Sequence, residues 1–186
     1  MKTTPVTPRK KSATHQLKLD EKALARAKAD IGDGAVTPSY GPWRDAIVDL
    51  LNRALATELV CVLRYRRHHF TAKGLASGPI ADEFLVHAIA EQGHADRIAE
   101  RIVQLDGSPV FNPDRLTRLS HAEYDESEGL KDMIRVNLVA ERVAVEFYRQ
   151  AIALVGDKDP TTRQMLETIL RDEEEHADEL ADLLAS

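Results

Sequence analysis

The chain has 186 residues, with 25 Lys+Arg against 31 Asp+Glu and a single Cys. That length buries a real core and suits one domain, or one domain plus a tail. One Cys excludes a disulfide framework and any CxxC zinc module, and no run of about 18 apolar residues exists to cross a membrane.

The first 28 residues hold eight basic side chains (Lys2, Arg9, Lys10, Lys11, Lys18, Lys22, Arg26, Lys28) and two acids, Asp20 and Glu21, a net of +6. The other residues then carry 17 basic and 29 acidic side chains, a net of −12. The opening MKTTPVTPRKKSATHQLKLD has no apolar core, so it is not a secretory signal, and a cytoplasmic location is expected. Residues 1–19, with Pro, Ser and Thr and few large apolars, read as disordered. Residues 20–31 form a candidate short helix, and Gly32, Gly34, Pro38, Gly41 and Pro42 then punctuate a loop. Residues 1–42 are thus a flexible basic arm and 43–186 the folded body.

From Trp43 the pattern is helical. The first long helix runs from Trp43 to Lys73 and stops at Gly74. The second starts near Ser77-Gly78-Pro79 and ends at Asp106-Gly107. The third begins near Ser127 or Gly129 and ends at Gly156. Asp159-Pro160 supplies the cap and first position of the fourth, which ends near Leu184. Four such helices predict an all-α four-helix bundle. The short links pair helices one with two and three with four as antiparallel hairpins. The stretch of some twenty residues from Gly107 to Glu126 is read as a crossover running the bundle's length, giving up-down-down-up topology.

Apolar residues recur at steps of three and four on each helix, and each stripe contains a Glu where an apolar residue belongs. These are Glu58, Glu91, Glu141 and Glu173. An ionised carboxylate in a core costs several kcal/mol unless a partner offsets it. Counted from the hairpin ends at 1.5 Å per residue, all four lie roughly 18–22 Å deep, at mid-bundle. Glu91 and Glu173 each carry a His three residues on, His94 and His176, on the same helix face. Four carboxylates neutralise two divalent cations; one Glu per metal can be terminal, the other two can bridge, and each metal takes one His. Mixed O/N ligation suits Fe, Mn or Zn more than Mg or Ca. A Glu on two helices with Glu-x-x-His on the other two is the pattern of di-iron carboxylate bundles.

The segments LLNRALATELVCVLRY, EQGHADRIAERI, NLVAERVAVEFYRQAI and ILRDEEEHADEL carry a family resemblance. Residues 43–184 resemble the ferritin-like superfamily, with the nearest local similarity to bacterioferritin. The resemblance implies that Glu58, Glu91, His94, Glu141, Glu173 and His176 are ferroxidase ligands for two Fe ions per subunit, with Tyr65 beside them and all six within one chain. It implies oxidation of Fe²⁺ by O₂ or H₂O₂ and storage of ferric mineral in a hollow shell. Three features depart from bacterioferritin. Gln92 stands where that family has its haem-ligating Met, so no haem is expected there. The chain stops ten residues after His176, without a fifth helix, as in Dps-type mini-ferritins. The crossover is longer. A Dps-like protein with a bacterioferritin-type centre is the implied reading, a homo-oligomer of 12 subunits with 24 as the alternative. The basic arm admits DNA binding, which makes a Dps-like protector one alternative function; another di-metal redox enzyme, such as a manganese catalase, is a second.

Weaker candidates surround this set. His87, one turn before Glu91, is an iron relay or a satisfied core polar group. Cys61 shares a face with Glu58 and is redox-active or an apolar filler. Tyr65 and Tyr148 supply electrons, bond to ligands, or pack. Arg64, Arg66, Arg67, His68 and His69 read as a solvated cluster or a subunit contact. Glu174 and Glu175 read as solvated, with Asp172 or Glu175 a candidate partner to a ligand.

Overall fold

Where the apolar steps of three and four persist, long helices form. The computed structural model describes residues 18–29 and 31–185; the arm over residues 1–17 lies outside the described residues. The helices are α1 (Glu21–Arg26), α2 (Trp43–Thr71), α3 (Ser77–Gln104), α4 (Pro113–Leu119), α5 (Leu130–Val155) and α6 (Pro160–Ala185). α1 is shorter than the candidate span 20–31. Asp20 caps it by accepting from the Lys22 and Ala23 amides, but it buries no residue, so nothing extends it. Among the described residues no helix is long and apolar enough to cross a membrane.

The stops have local causes. Gly74 and Gly156 take φ of 118° and 51°, a region open to Gly. At the end of α3, Asp106 enters the left-handed region at φ 58°, and the Gly107 amide returns to the Ile102 carbonyl at 2.9 Å. Gly107 is needed there for space. A Cβ on it would lie 2.7 and 2.9 Å from the two Val48 methyls of α2 and 3.0 Å from Ile102 Cγ2. Gly107→Ala is expected to cost about 1–3 kcal/mol through overpacking. Thermal unfolding checks this, and adding Val48→Ala should restore part of the loss.

Cross-helix pairs set the topology. Between α2 and α5, Glu58 meets Tyr148 and Arg64 meets Asn137, so the two run antiparallel. Between α3 and α6, Arg101 meets Thr162 and His87 meets Glu179, again antiparallel. The order is up-down-down-up. Arg101 also donates from Nη2 to both oxygens of Asp159, at 2.9 Å each, and to the Tyr40 hydroxyl at 3.1 Å. Asp159 caps α6 through the Thr162 amide at 3.0 Å, so one buried ion pair ties the end of α3 to the start of α6.

The crossover carries α4, which packs on α2. Asn112 caps it, accepting from the Asp114 amide, and Pro113 opens it. The crossover climbs α2 residue by residue. Asn52 bonds Ser108 and Val110, Thr57 bonds His121, and Arg64 Nη1 donates to the Glu123 carbonyl at 2.9 Å. This corrects the expectation of a solvated cluster late in α2. Arg64 and His68 are buried beneath the crossover, with Arg64 Nε 2.7 Å from Asn137 Oδ1. Arg66 stays exposed.

Two apolar clusters fill the bundle. One is built from Leu51, Leu55, Ile98, Ile102, Leu166 and Ile169, the other from Val60, Phe84, Met133, Ile134 and Leu180. The four inward-facing carboxylates lie in the layer that separates them.

Candidate metal centre

The helix stripes bring Glu58 from α2, Glu91 and His94 from α3, Glu141 from α5 and Glu173 and His176 from α6 into one layer. All six are buried. Their donor atoms form two overlapping groups, each with every atom within 4.8 Å of the others. The first holds Glu58, Glu91, His94 and Glu173; the second holds Glu91, Glu141, Glu173 and His176. Glu91 and Glu173 belong to both. Glu58 with His94, and Glu141 with His176, each belong to one. Two metal ions placed in these groups would each meet one Glu and one His of their own, with Glu91 and Glu173 within reach of both.

Both imidazoles present Nδ1 to the layer. His94 Nδ1 lies 3.3 Å from Glu58 Oε2, 3.1 Å from Glu91 Oε2 and 2.9 Å from Glu173 Oε1. His176 Nδ1 lies 3.6 Å from Glu91 Oε1 and 4.0 Å from Glu141 Oε2. The other nitrogen of His94 meets Asp172 Oδ2 at 3.3 Å, a carboxylate–histidine pair that fixes the ring. Tyr148 donates to Glu58 and Tyr65 donates to Glu141, so each terminal Glu has its own tyrosine.

Charge shows what the layer lacks. Burial, then the Glu91 charge, pushes the Glu58 carboxyl up to about 8. Burial, then the Glu91 charge, raises Glu173 and Glu141 as well. Glu91 is held low: burial would raise it, but the neighbouring His176 and His94 imidazoles outweigh burial. His94 is raised to about 10, because bonds to Glu58 and Glu91 overcome burial. Among the described residues, four buried side-chain polar atoms lack a hydrogen-bond partner, and three are in this layer: Glu91 Oε1, Glu173 Oε1 and His176 Nδ1. A pair of divalent cations would satisfy these atoms and the excess negative charge together.

The neighbouring candidates divide. Cys61 is buried in the apolar cluster, with burial pushing its thiol up, and its sulfur accepts from Arg64 Nη2 at 3.6 Å. It is a packing residue here. His87 is fully buried, stacks on His176 at 4.2 Å and bonds the Tyr65 hydroxyl at 3.1 Å. Gln92 faces away from the layer and donates to Asp96. Glu174 and Glu175 are exposed. Glu83 and Glu179, which meet His87, escaped the sequence reading; the i,i+4 spacing to His87 and the i,i+3 spacing from His176 were the available signals.

The model of the ferritin-like domain matches residues 48–186. A nutrient stress-induced DNA-binding protein of Synechococcus sp. is 34% identical over 142 residues, covering 75% of this chain and 81% of that protein. A bacterioferritin of Rhodobacter capsulatus is 31% identical over 135 residues, covering 71% and 78%. The bacterioferritin-related protein from Bacteroides fragilis, a dodecameric thioferritin, superposes with a TM-score of 0.74 at 31% identity, over 76% of this chain and 86% of that one. With six donors meeting in one buried layer of an up-down-down-up bundle, and a family match over most of its length, the chain belongs to the ferritin-like family.

Proposed function

We propose that the protein is an iron-storing ferroxidase, oxidising Fe²⁺ with O₂ or H₂O₂ at a dinuclear centre within one chain. The observation that carries this reading is the sharing of Glu91 and Glu173 between two donor groups. Glu58 with His94 completes one position, and Glu141 with His176 the other. Two Fe²⁺ ions held side by side supply two electrons together. With two protons these reduce H₂O₂ to two waters, or O₂ to H₂O₂. Four anionic carboxylates favour the more highly charged ferric product. Asp172 holds His94 in place, and Tyr65 and Tyr148 orient the terminal carboxylates.

A closed homo-oligomer, a dodecamer by the example of the Bacteroides fragilis relative, would enclose the ferric product. Exposed apolar side chains along the helices, among them Phe70, Ile89 and Leu154, supply faces for such contacts. No donor has to come from a second subunit. The basic stretch before α1 and the name of the Synechococcus relative favour a second role, contact with DNA phosphates; the acidic body does not help it.

Anaerobic Fe²⁺ titration should give two tight irons per chain, and air should then oxidise both. Glu141→Ala should bind fewer. Equal stoichiometry in the two proteins would overturn the assignment. If only the manganese-loaded form turned over, by dismuting H₂O₂, the protein would be a manganese enzyme instead.

A further inference from the structure

Outside the six-donor layer, a second set of donors converges at the seam of α3 and α6. Glu83 and His87 are one turn apart on α3, and Glu179 reaches across from α6. His87 Nε2 lies 3.4 Å from Glu83 Oε1 and 3.0 Å from Glu179 Oε2. One donor atom from each residue lies within 4.8 Å of the other two. The imidazole is fully buried, whereas the carboxylate side chains are 33% and 44% exposed.

Hydrogen bonding fixes which nitrogen of His87 is free, and this step rests on the reading of Glu141 as an ionised metal ligand. Tyr65 has one hydroxyl hydrogen, and it goes to Glu141. The Tyr65 oxygen can then only accept from His87 Nδ1, 3.1 Å away. Neutral His87 is therefore the Nδ1–H tautomer, with a lone pair on Nε2. That lone pair faces one oxygen each of Glu83 and Glu179. Three acceptors turned on one another repel, and a cation among them removes the conflict.

We propose that Glu83, His87 and Glu179 form a third divalent-cation site, at the mouth between α3 and α6, from which Fe²⁺ passes to the central pair. One imidazole nitrogen and two carboxylate oxygens, completed by water, suit Fe²⁺, Mn²⁺ or Zn²⁺. The site borders a cleft of about 520 Å³ that has Glu175 and Glu179 on its wall and His94 and His176 on its floor. Asp172 in the same cleft is matched by Arg97 at 3.5 Å and Arg171 at 3.3 Å, so the wall glutamates supply its attraction for cations. His87 lies flat against His176, one ring from the central layer. With two carboxylates where the centre has four, and with partial exposure, this site holds iron less tightly than the centre does, as a transfer site must.

Crystals of the full-length protein soaked anaerobically in Zn²⁺ test this by anomalous diffraction. Three peaks per chain are expected, the outer one about 2.0–2.2 Å from His87 Nε2. The double variant Glu83→Gln/Glu179→Gln should keep the central two and lose the third. At limiting Fe²⁺ its oxidation rate should fall about 10-fold. Central peaks with no outer peak in the wild type would overturn the third site alone. An outer peak surviving in the variant would overturn its assignment to these carboxylates, and an unchanged rate would overturn the transfer. Absence of the central peaks would instead overturn the ferroxidase reading on which it rests.

Discussion

Glu91→Ala is expected to empty both metal positions, whereas Glu141→Ala empties one. The difference follows from membership: Glu91 and Glu173 contribute to both donor groups, Glu58 and Glu141 to one each. Without Glu141, the first group still has three carboxylates and His94. Without Glu91, each group loses an oxygen, and what remains is two carboxylates and a His per group, with Glu173 shared between them. Losing a group that merely supports a ligand already weakens metal sites about 10–100-fold; losing a shared ligand should exceed that at both positions. Anaerobic titration at the Fe²⁺ concentration that just fills the two tight central positions of the wild type should count two irons, then one for Glu141→Ala and none for Glu91→Ala or Glu173→Ala. Oxidation rates should fall at least about 100-fold in all of them, because one ferrous ion supplies one electron and the reaction needs two. Stoichiometry therefore separates the variants where rate does not. A single tight iron retained by Glu91→Ala would show that Glu91 is terminal.

The depth of the site was legible because a helix is a ruler. Fixed rise per residue converts the distances of Glu58, Glu91, Glu141 and Glu173 from their hairpins into one common level, and the spacing of His94 and His176 puts each beside its Glu. The ends of the helices were legible for the same local reason: Gly74, Gly156 and the Asp159-Pro160 pair act through backbone conformation, which neighbours in sequence decide. Which two glutamates fall in both donor groups was not. It depends on the rotation of each helix about its axis and on the side-chain rotamer, both set by packing between helices.

Burial on the flank of a stripe was not legible either. Arg64 sits beside Tyr65 on α2, where a cation normally reaches water. It is covered because the crossover, some sixty residues later in the chain, lies over that flank and offers the Glu123 carbonyl. Asn137 completes its partners from α5. The helix α4 within the crossover did have a local signal, Asn112 before Pro113, but seven residues are too few for an apolar period to show. Glu179 reads as one more acid on an acidic helix until the α3–α6 pairing sets it against His87.

Stripped of metal, the protein should lose thermal stability as pH rises from about 6 to about 9, and Zn²⁺ should restore it most at the upper end. Glu58, raised from 4.5 to about 8 by burial and by Glu91, favours its protonated form in the fold. His94, raised from 6.5 to about 10 because its bonds to Glu58 and Glu91 overcome burial, does the same. Through that range the folded chain holds more protons than the unfolded chain, so stability declines with pH. The Glu58 contribution is whole below 4.5 and gone above about 8; that of His94 is whole below 6.5 and gone above about 10. Glu91, held low by His176 and His94 against burial, acts in the opposite sense, but only as pH falls below 4.5. A few kcal/mol in a chain of this size corresponds to a fall on the order of 10 °C in Tm. Bound metal replaces those protons. At 1,000 times its dissociation constant each ion adds about 4 kcal/mol, so the loaded protein should melt at nearly the same temperature at both ends of the range. Glu58→Gln, a neutral isostere, should flatten the curve of the stripped protein and recover less with Zn²⁺. A stripped wild type whose Tm held steady or rose over this range would mean that the carboxylate layer is balanced without a cation, and the case for a metal pair would go with it.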